Sequence, residues 1–396
     1  MSDHRGGGVR FAPTELTAAE LALQAEVRAF LAAELGAASR RPGLGMNGVA
    51  DREFSKKLGA RGWLGMAVPK RYGGADRSAV DRFVVTEELL RHGAPIGHHW
   101  LADRQTAAVI DRFGTQAQKE RFLPKICSGE LGFSVGMSEP EAGSDLAAVR
   151  TRAVRQGDSW VINGTKVWTT GAHRNEFMVL LARTSDEEDR HRGLTQFIVD
   201  LATPGVRVRP IPLLDGSADF NEVVLTDVTV GDEAVLGDLG EGWSQTTAEL
   251  AFERGGPDRF LTVYPVVEAF VREAGPAADG PHARRFLGHC ATTFWVLRNL
   301  ALSIARAVDR DEPAVRQAAL LKEMATRFEQ DAITALLDVI DTEPVCDSPS
   351  VFEQILCEAV LTRPIFTIRG GTTEILRSVA AKGVMAAAMP GPAGRN

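Results

Sequence analysis

The sequence predicts an α+β chain in which helices come first, short strands follow, and helices return to the end. Three observations carry that reading: helix-spaced apolar residues with capping boxes up to about residue 130, short β-type runs between turn clusters to about 240, and long helix-period runs thereafter. The expected domains are 12–130, 131–240 and 241–390.

Taking the elements in order, Thr17 with Glu20 makes a capping box before LALQAEVRAFLAAEL, and Thr115 with Gln118 makes another before KERFLPKI. Between them lie periodic segments at 52–58 and 80–90, the first stopped near Gly59 and Gly62. The interruption GAPIGHHW places His98, His99 and Trp100 in a loop or helix start. Without a carboxylate or third ligand close by, this His pair reads as pocket wall or packing. The β-type runs are VINGTKVWTT, EFMVLLART, LTQFIVDL, VRVRPIPLL and NEVVLTDVTV, separated by RQGD, SDEEDRHRG and ATPG. The charged insert 185–192 is expected to be a solvated hairpin loop. Helical runs then cover 243–252, 260–272, 284–308, 314–339, 349–361 and 372–385, the last introduced by Arg369-Gly370-Gly371-Thr372.

With 396 residues, 44% hydrophobic and 24% charged, the chain has ample core for two or three domains, or one large one. A net charge of −7 argues against nucleic acid or anionic membrane as the main partner. Cys127, Cys290, Cys346 and Cys357 show no paired spacing, so they read as reduced thiols, with neither a disulfide framework nor a metal site. The polar start MSDHRGGGVR and the lack of a long apolar run lead to the expectation of a cytoplasmic protein. The ending MPGPAGRN reads as a disordered tail.

The densest chemistry lies in 132–174. A short apolar run opens into GMSEPEAGSD, whose glycines let backbone N–H groups approach a ligand and whose Ser138, Ser144 and Asp145 add hydrogen-bonding side chains. In VINGTKVWTT, a turn at Asn163-Gly164 is expected to lead into a strand presenting Trp168 beside Thr169 and Thr170. Taken singly, these are a hairpin and a core tryptophan. Together, GMSEPEAGSD followed by INGTKVWTT resembles the flavin-binding signature of the acyl-CoA dehydrogenase family, and FTIRGGTTEILRSVAAKG resembles that family's second signature.

The resemblance implies an N-terminal all-α domain, a middle β-barrel-like domain and a C-terminal four-helix-bundle domain, with FAD between the last two. It implies oxidation of an acyl-CoA thioester to the trans-2-enoyl thioester: a carboxylate takes the α proton while a hydride leaves the β carbon for flavin N5. It also implies roles in cofactor binding. Trp168 packs on the isoalloxazine, with Thr169 beside it and the Thr170 hydroxyl at N5. Val135, Met137, Ser138, Gly143 and Ser144 follow the pyrimidine side and phosphates, and Ser144 also meets the CoA pantetheine.

The base needs a carboxyl whose pKa is raised by burial, because the thioester α proton is weakly acidic. Many family members place it in the second signature, where this chain has Gly370. A branch resembling the isovaleryl-CoA and long-chain dehydrogenases places it in an LER-like motif instead. Here AFER puts Glu253 on that position, flanked by Ala251 and Phe252, with Gly255-Gly256-Pro257 expected to leave room beside the carboxylate and Glu249 as the rival. Gly370 remains a catalytic candidate through its N–H toward the thioester carbonyl. Arg254 and Gly371 are candidate substrate contacts.

Further family matches are Thr372 and Glu374 of the GTxE pattern at the flavin, and Arg284, which resembles the arginine that reaches a neighbouring subunit's flavin. Two positions depart from the pattern. Trp295 stands where a Gln is usual, and VIDTEPVCDSP replaces a glycine-rich adenosine-binding segment. The implied partners are an acyl-CoA and an electron-transfer flavoprotein, in a homodimer, homotetramer or heterotetramer. Two alternatives stay open: a dehydrogenase or oxidase of an acyl group bound to a carrier protein, and a partner subunit of a heteromeric enzyme with an incomplete FAD site.

Overall fold

The computed structural model describes residues 14–36, 42–45, 49–253, 255–273, 278–312, 314–341 and 343–388, and it leaves the side chains of 248–253 and 382–388 undescribed. The expected tail at 389–396 lies outside the described residues. The helices are α1 (Ala18–Leu35), α2 (Arg52–Ala60), α3 (Ala79–Arg91), a π-helical turn (Ala102–Thr106), α4 (Ala107–Phe113) and α5 (Gln116–Cys127). Strands follow: β1 (Phe133–Gly136), β2 (Arg152–Gln156), β3 (Ser159–Lys166), β4 (Phe177–Arg183), β5 (Leu194–Asp200), β6 (Val206–Pro210), β7 (Asn221–Gly231) and β8 (Val235–Leu236). The chain then forms α6 (Gly242–Glu253), α7 (Tyr264–Glu273), α8 (Pro281–Val308), α9 (Val315–Ile340), α10 (Val351–Thr362) and α11 (Thr373–Ala388).

Two compact units emerge, one built from 42–85 and 92–253, the other from 1–41, 86–91 and 254–396. The first holds the sheet, in the order β6-β7-β3-β2-β4-β5-β8, with β1 alongside β4. β4 is buried on both faces, as its apolar run MVLLA demands. Met178, Leu180 and Ala182 face Trp160, Ile162, Phe197 and Val199. On the other side, Val179 and Ile198 pack with Phe122, Leu123 and Ile126 of α5. The Thr115–Gln118 capping box forms, and Gln118 Nε2 also donates to the carbonyls of Glu233 (2.9 Å) and Val235 (2.8 Å), tying the start of α5 to the end of the sheet. Residues 185–192 form the exposed β4–β5 hairpin loop, as expected.

Three expectations in this unit are corrected. Asn163-Gly164 is not the hairpin turn: β3 runs through it with a bulge, and the turn lies at Gly157-Asp158. The reason is lateral. A Cβ at Gly164 would stand 2.3 Å from Thr151 Oγ1, while Asn163 exchanges bonds with Asp227, Nδ2 to Oδ1 at 3.1 Å and Asp227 N to Oδ1 at 2.8 Å. The second correction is β2, RAVRQ, whose arginines masked its pairing with β3. The third is the strand end, which comes at Lys166, before Trp168.

In the second unit, the Thr17–Glu20 capping box opens α1. Leu23, Val27, Phe30 and Leu31 are buried along that helix, and Arg306 of α8 grips the Glu20 carboxylate with both nitrogens at 2.7 Å. The buried Glu88 accepts from Gln24 Nε2 and from two Arg28 nitrogens, each at 2.9 Å. α7 starts at Tyr264, later than expected, because a turn of 3-10 helix at Pro257–Arg259 precedes it.

Cys346 and Cys357 form a disulfide, which corrects the reading of four reduced thiols. Their separation of 11 residues matches no motif. The α9–α10 connection turns back so that the two Cα atoms lie 5.4 Å apart. The pairing removes the cysteine argument for a reducing compartment. Cys127 and Cys290 are buried free thiols, each pushed up to about 12 by burial and so unreactive. Among the described residues, no helix is long and apolar enough to cross a membrane.

Candidate active site

The first cluster of candidate residues stands at the mouth of the sheet unit. Val135 pairs with Val179 in the sheet, and after Gly136 the chain leaves it and passes through half-buried Met137 and Ser138 to exposed Gly143 and Ser144. A buried ion pair fixes this loop. Lys166 Nζ, with no exposed side-chain surface, donates to Glu139 Oε1 at 2.8 Å and to the Met137 carbonyl at 3.0 Å. Glu139 also accepts from the N–H groups of Arg150 (2.6 Å) and Thr151 (2.9 Å). Burial alone would raise the Glu139 carboxyl, but Lys166 and these donors outweigh it and hold the group below its ordinary value. Burial pushes the Lys166 ammonium down to about 8 against the pull of Glu139. The pair is therefore ionised at neutral pH. A Cβ on Gly143 would meet nothing within 4 Å, which leaves the loop's outer face open to a ligand.

The second arm starts where β3 ends. Val167 N donates to Ser138 O at 2.9 Å, joining the two arms. Trp168 then takes a left-handed backbone, φ 61°, and leaves its indole 56% exposed. Such a conformation costs a bulky residue about 1–3 kcal/mol and persists only where neighbours over-determine it. They do so here. Thr169 N donates to Asn221 O (3.0 Å), Asn221 Nδ2 returns a bond to Thr169 O (2.9 Å), and Gly171 N donates to Asp219 O (2.7 Å). Ser134 Oγ donates to Thr170 O (2.8 Å) and in turn accepts from Asn175 Nδ2 (2.9 Å). Thr169 is fully buried, and its hydroxyl has no partner among the described residues, while Thr170 is half-buried. An exposed aromatic face, two adjacent hydroxyls and an open glycine loop are what an isoalloxazine with its phosphates requires, so these residues fit FAD.

The structure thus brings Val135, Met137, Ser138, Gly143, Ser144, Trp168, Thr169 and Thr170 onto two joined arms. Sequence reasoning missed Glu139, Lys166, Ser134, Asn175 and Asn221, which hold those arms; the bonds that join one arm to the other element span 27 to 52 residues. Asp145 sits apart in an exposed pair with Arg190 at 2.8 Å. His99 lies buried against Ser55 Oγ at 2.8 Å, and burial pushes it down to about 4; burial lowers His98 as well. Both rings are buried.

Glu253 is the last residue of α6, and its side chain, that of Glu249 and all of Arg254 lie outside the described residues. A Cβ on Gly255 would come 2.8 Å from Ile304 Cγ2, so this glycine permits close packing on α8, while the expected room beside the Glu253 carboxylate lies outside the described residues. In the helical unit, Gly370 and Gly371 both take positive φ, 66° and 99°. Thr372 Oγ1 accepts from Ile375 N at 3.4 Å, and Glu374 stands exposed in the first turn of α11. The exposed Arg284 lies 3.9 Å from Asp279, and Trp295 is 68% exposed. Among the described residues, no cluster of side chains could hold a metal.

Family models for the acyl-CoA dehydrogenase N-terminal, middle and C-terminal domains match residues 17–130, 134–228 and 267–385. The acyl-CoA dehydrogenase IpdE1 of Mycobacterium tuberculosis is 34% identical over 375 residues, which cover 91% of this chain and 96% of that protein. The Tcur3481-Tcur3483 steroid ACAD is similar in structure, with a TM-score of 0.82 and 30% identity over 96% of this chain and 100% of that one. The ChsE4-ChsE5 complex from Mycobacterium tuberculosis gives the same TM-score at 28% identity, over 97% and 100%. With its three-part fold and the matches spanning all three parts, the chain belongs to the acyl-CoA dehydrogenase family of FAD-dependent flavoproteins, oxidoreductases that act on CH–CH bonds.

Proposed function

We propose that the chain dehydrogenates an acyl-CoA thioester to the trans-2-enoyl-CoA, with Glu253 removing the α proton and flavin N5 accepting the β hydride. The observation that carries this reading is Trp168, an exposed indole in a left-handed backbone beside Thr169 and Thr170, held by hydrogen bonds on both sides. Bound FAD supplies the two-electron acceptor. The chain's own work is to fix the ring face with Trp168, orient a hydrogen bond through Thr170, follow the cofactor with the loop from Val135 to Ser144, and hold a proton on Glu253. Thr372, Glu374 and Arg284 are proposed further flavin contacts, Arg254 and Gly371 substrate contacts, and the Gly370 N–H a donor to the thioester oxygen, where charge develops as the α proton leaves.

Likeness to a steroid ACAD, and a glycine where many relatives carry the base side chain, support a bulky acyl group. The test is anaerobic bleaching of the FAD-loaded protein by acyl-CoAs of graded length, branching and ring content. At least one should bleach the flavin, and a bulky one most readily. Glu253→Gln should keep the yellow cofactor and abolish bleaching; near-normal bleaching in that variant removes Glu253 as base, and a wild type that no acyl-CoA bleaches refutes the reaction. Electron-transfer flavoprotein is the proposed oxidant, whereas steady peroxide formation in air points to an oxidase.

A second reading, a partner subunit with a shared FAD site, has one observation in its favour. The disulfide-pinned connection between α9 and α10 stands where the resemblance places the adenosine segment. The similar ChsE4-ChsE5 structure is itself a complex. FAD per chain in the protein purified alone decides: near one supports self-sufficiency, near zero until a partner is added supports the shared site.

A further inference from the structure

We propose that Lys322 is a positioning residue for the reaction, holding the Gly370-Gly371 loop in the one backbone arrangement that serves the thioester, with Glu329 as a second anchor on the same helix. The proposal rests on the dehydrogenase reading above. Both side chains project from α9, seven residues and so about two turns apart on one face, and both are fully buried. Between them Thr326 is also buried, its hydroxyl donating to Lys322 O of its own helix at 2.8 Å, and Ala325, Ile333 and Leu336 beside them are apolar. Two buried ionisable groups are a poor way to bind helices together, because apolar side chains of the same size would serve at least as well. Their partners show what they do instead.

Lys322 Nζ donates to Gly371 O at 2.8 Å and stands 3.4 Å from Phe366 O, so one ammonium grips both ends of the turn that contains Arg369 and Gly370. That turn needs a grip. Gly370 and Gly371 sit at φ 66° and 99°, and two adjacent glycines rotate at little steric cost. A trans peptide points its C=O and N–H in opposite directions, so fixing the Gly371 carbonyl also fixes the direction of the Thr372 N–H. Arg369, whose carbonyl shares a peptide with the Gly370 N–H, is anchored through its side chain. Arg369 Nη2 donates to Thr262 Oγ1 at 3.1 Å and to Asp258 O at 3.4 Å, and its guanidinium lies over the Phe366 ring at 5.2 Å.

Glu329 anchors the other strand of this contact by accepting from Thr262 N at 2.9 Å. Its second oxygen is 3.8 Å from Arg369 Nη2, outside hydrogen-bond range. Burial pushes this carboxyl up to about 8, in spite of Arg369 and Thr262, so at neutral pH it acts as a neutral hydrogen-bonding group. α9 therefore clamps two segments at once: the one after the base-bearing helix and the one carrying Gly370.

The experiment compares wild type, Lys322→Met and Lys322→Arg, each loaded with FAD, by three readouts: acyl-CoA binding, the rate of anaerobic flavin reduction, and the infrared carbonyl band of a bound 13C-labelled thioester. Lys322→Met should bind acyl-CoA within about threefold of wild type, reduce flavin about 100-fold more slowly, and return the carbonyl band toward its solution frequency. Lys322→Arg should recover most of the rate. A wild-type rate or an unmoved carbonyl band in Lys322→Met overturns the inference, as does a rate loss matched by an equal loss of binding. If Lys322→Met does not fold, Thr262→Val, which removes the hydroxyl's bonds to Arg369 and to Asp258 O but keeps the Thr262 N–H bond to Glu329, should still slow reduction by about threefold to tenfold without weakening binding; no change overturns the inference. A wild type that no acyl-CoA reduces condemns the dehydrogenase reading, whereas a competent wild type matched by Lys322→Met condemns the positioning role alone.

Discussion

Replacing Lys166 by Met should damage both the sheet unit and its hold on flavin. The Lys166 ammonium makes two buried bonds, to Glu139 and to the Met137 carbonyl, and its loss leaves the Glu139 carboxylate with only the Arg150 and Thr151 N–H groups. Breaking a buried pair from one side costs about 3–5 kcal/mol, because the remaining charge stays desolvated. At about 2–4 °C per kcal/mol, the unfolding midpoint of the flavin-free protein should fall by roughly 10 °C. FAD should also dissociate faster, since Met137 and Ser138 lose their anchor. The control is the double variant Glu139→Gln/Lys166→Met, which removes both charges and should recover part of the loss, with a coupling of about 1–3 kcal/mol. Circular dichroism melts and flavin-fluorescence titrations supply the numbers. Additive single and double variants, or an unchanged FAD dissociation constant, would refute the reasoning.

Two other predictions concern the helical unit. Glu329 has a folded pKa near 8 against an ordinary 4.5, so the native state keeps a proton that the unfolded chain releases; its contribution to stability is complete below about pH 4.5 and is lost as pH rises through 8. Wild type should therefore lose up to roughly 1.4 kcal/mol per pH unit more than Glu329→Gln between pH 5 and 8 in urea titrations, and parallel curves would count against it. For the disulfide, denatured but unreduced protein should titrate two thiols, Cys127 and Cys290, and reduced protein all four. Reduction should cost about 3 kcal/mol, since the bridge closes a short loop; four thiols before reduction would show that the bridge does not form.

What could be read from the sequence was local. The Thr17 and Thr115 capping boxes formed because box and helix lie within one turn, and the 185–192 loop announced itself by its charge. The two arms proposed to hold flavin were legible as loop and strand end because their residues are consecutive. What escaped notice was lateral. Asn163-Gly164 has the composition of a hairpin turn, yet Thr151, just before β2, and Asp227 of β7 made it a bulge. Lys166 reads as an ordinary strand lysine until Glu139 is placed 2.8 Å away. Lys322, Glu329 and Arg369 are unremarkable helix and loop charges in one dimension, and Cys346 and Cys357 match no motif. In each case the deciding partner lies on a different element, and periodicity carries no information about it.

The capping and pairing of α1 has a consequence for the order of events during synthesis. This helix leaves the ribosome with Leu23, Val27, Phe30 and Leu31 ready to be buried, but the arginine that grips its Glu20 is made 286 residues later. The sheet unit, whose segments all lie between 42 and 253, is complete long before then. α1 meets one partner early, Glu88 of α3, but its ion pair with Arg306 closes only once α8 has been made, so the placement of this helix is completed in two stages far apart in time.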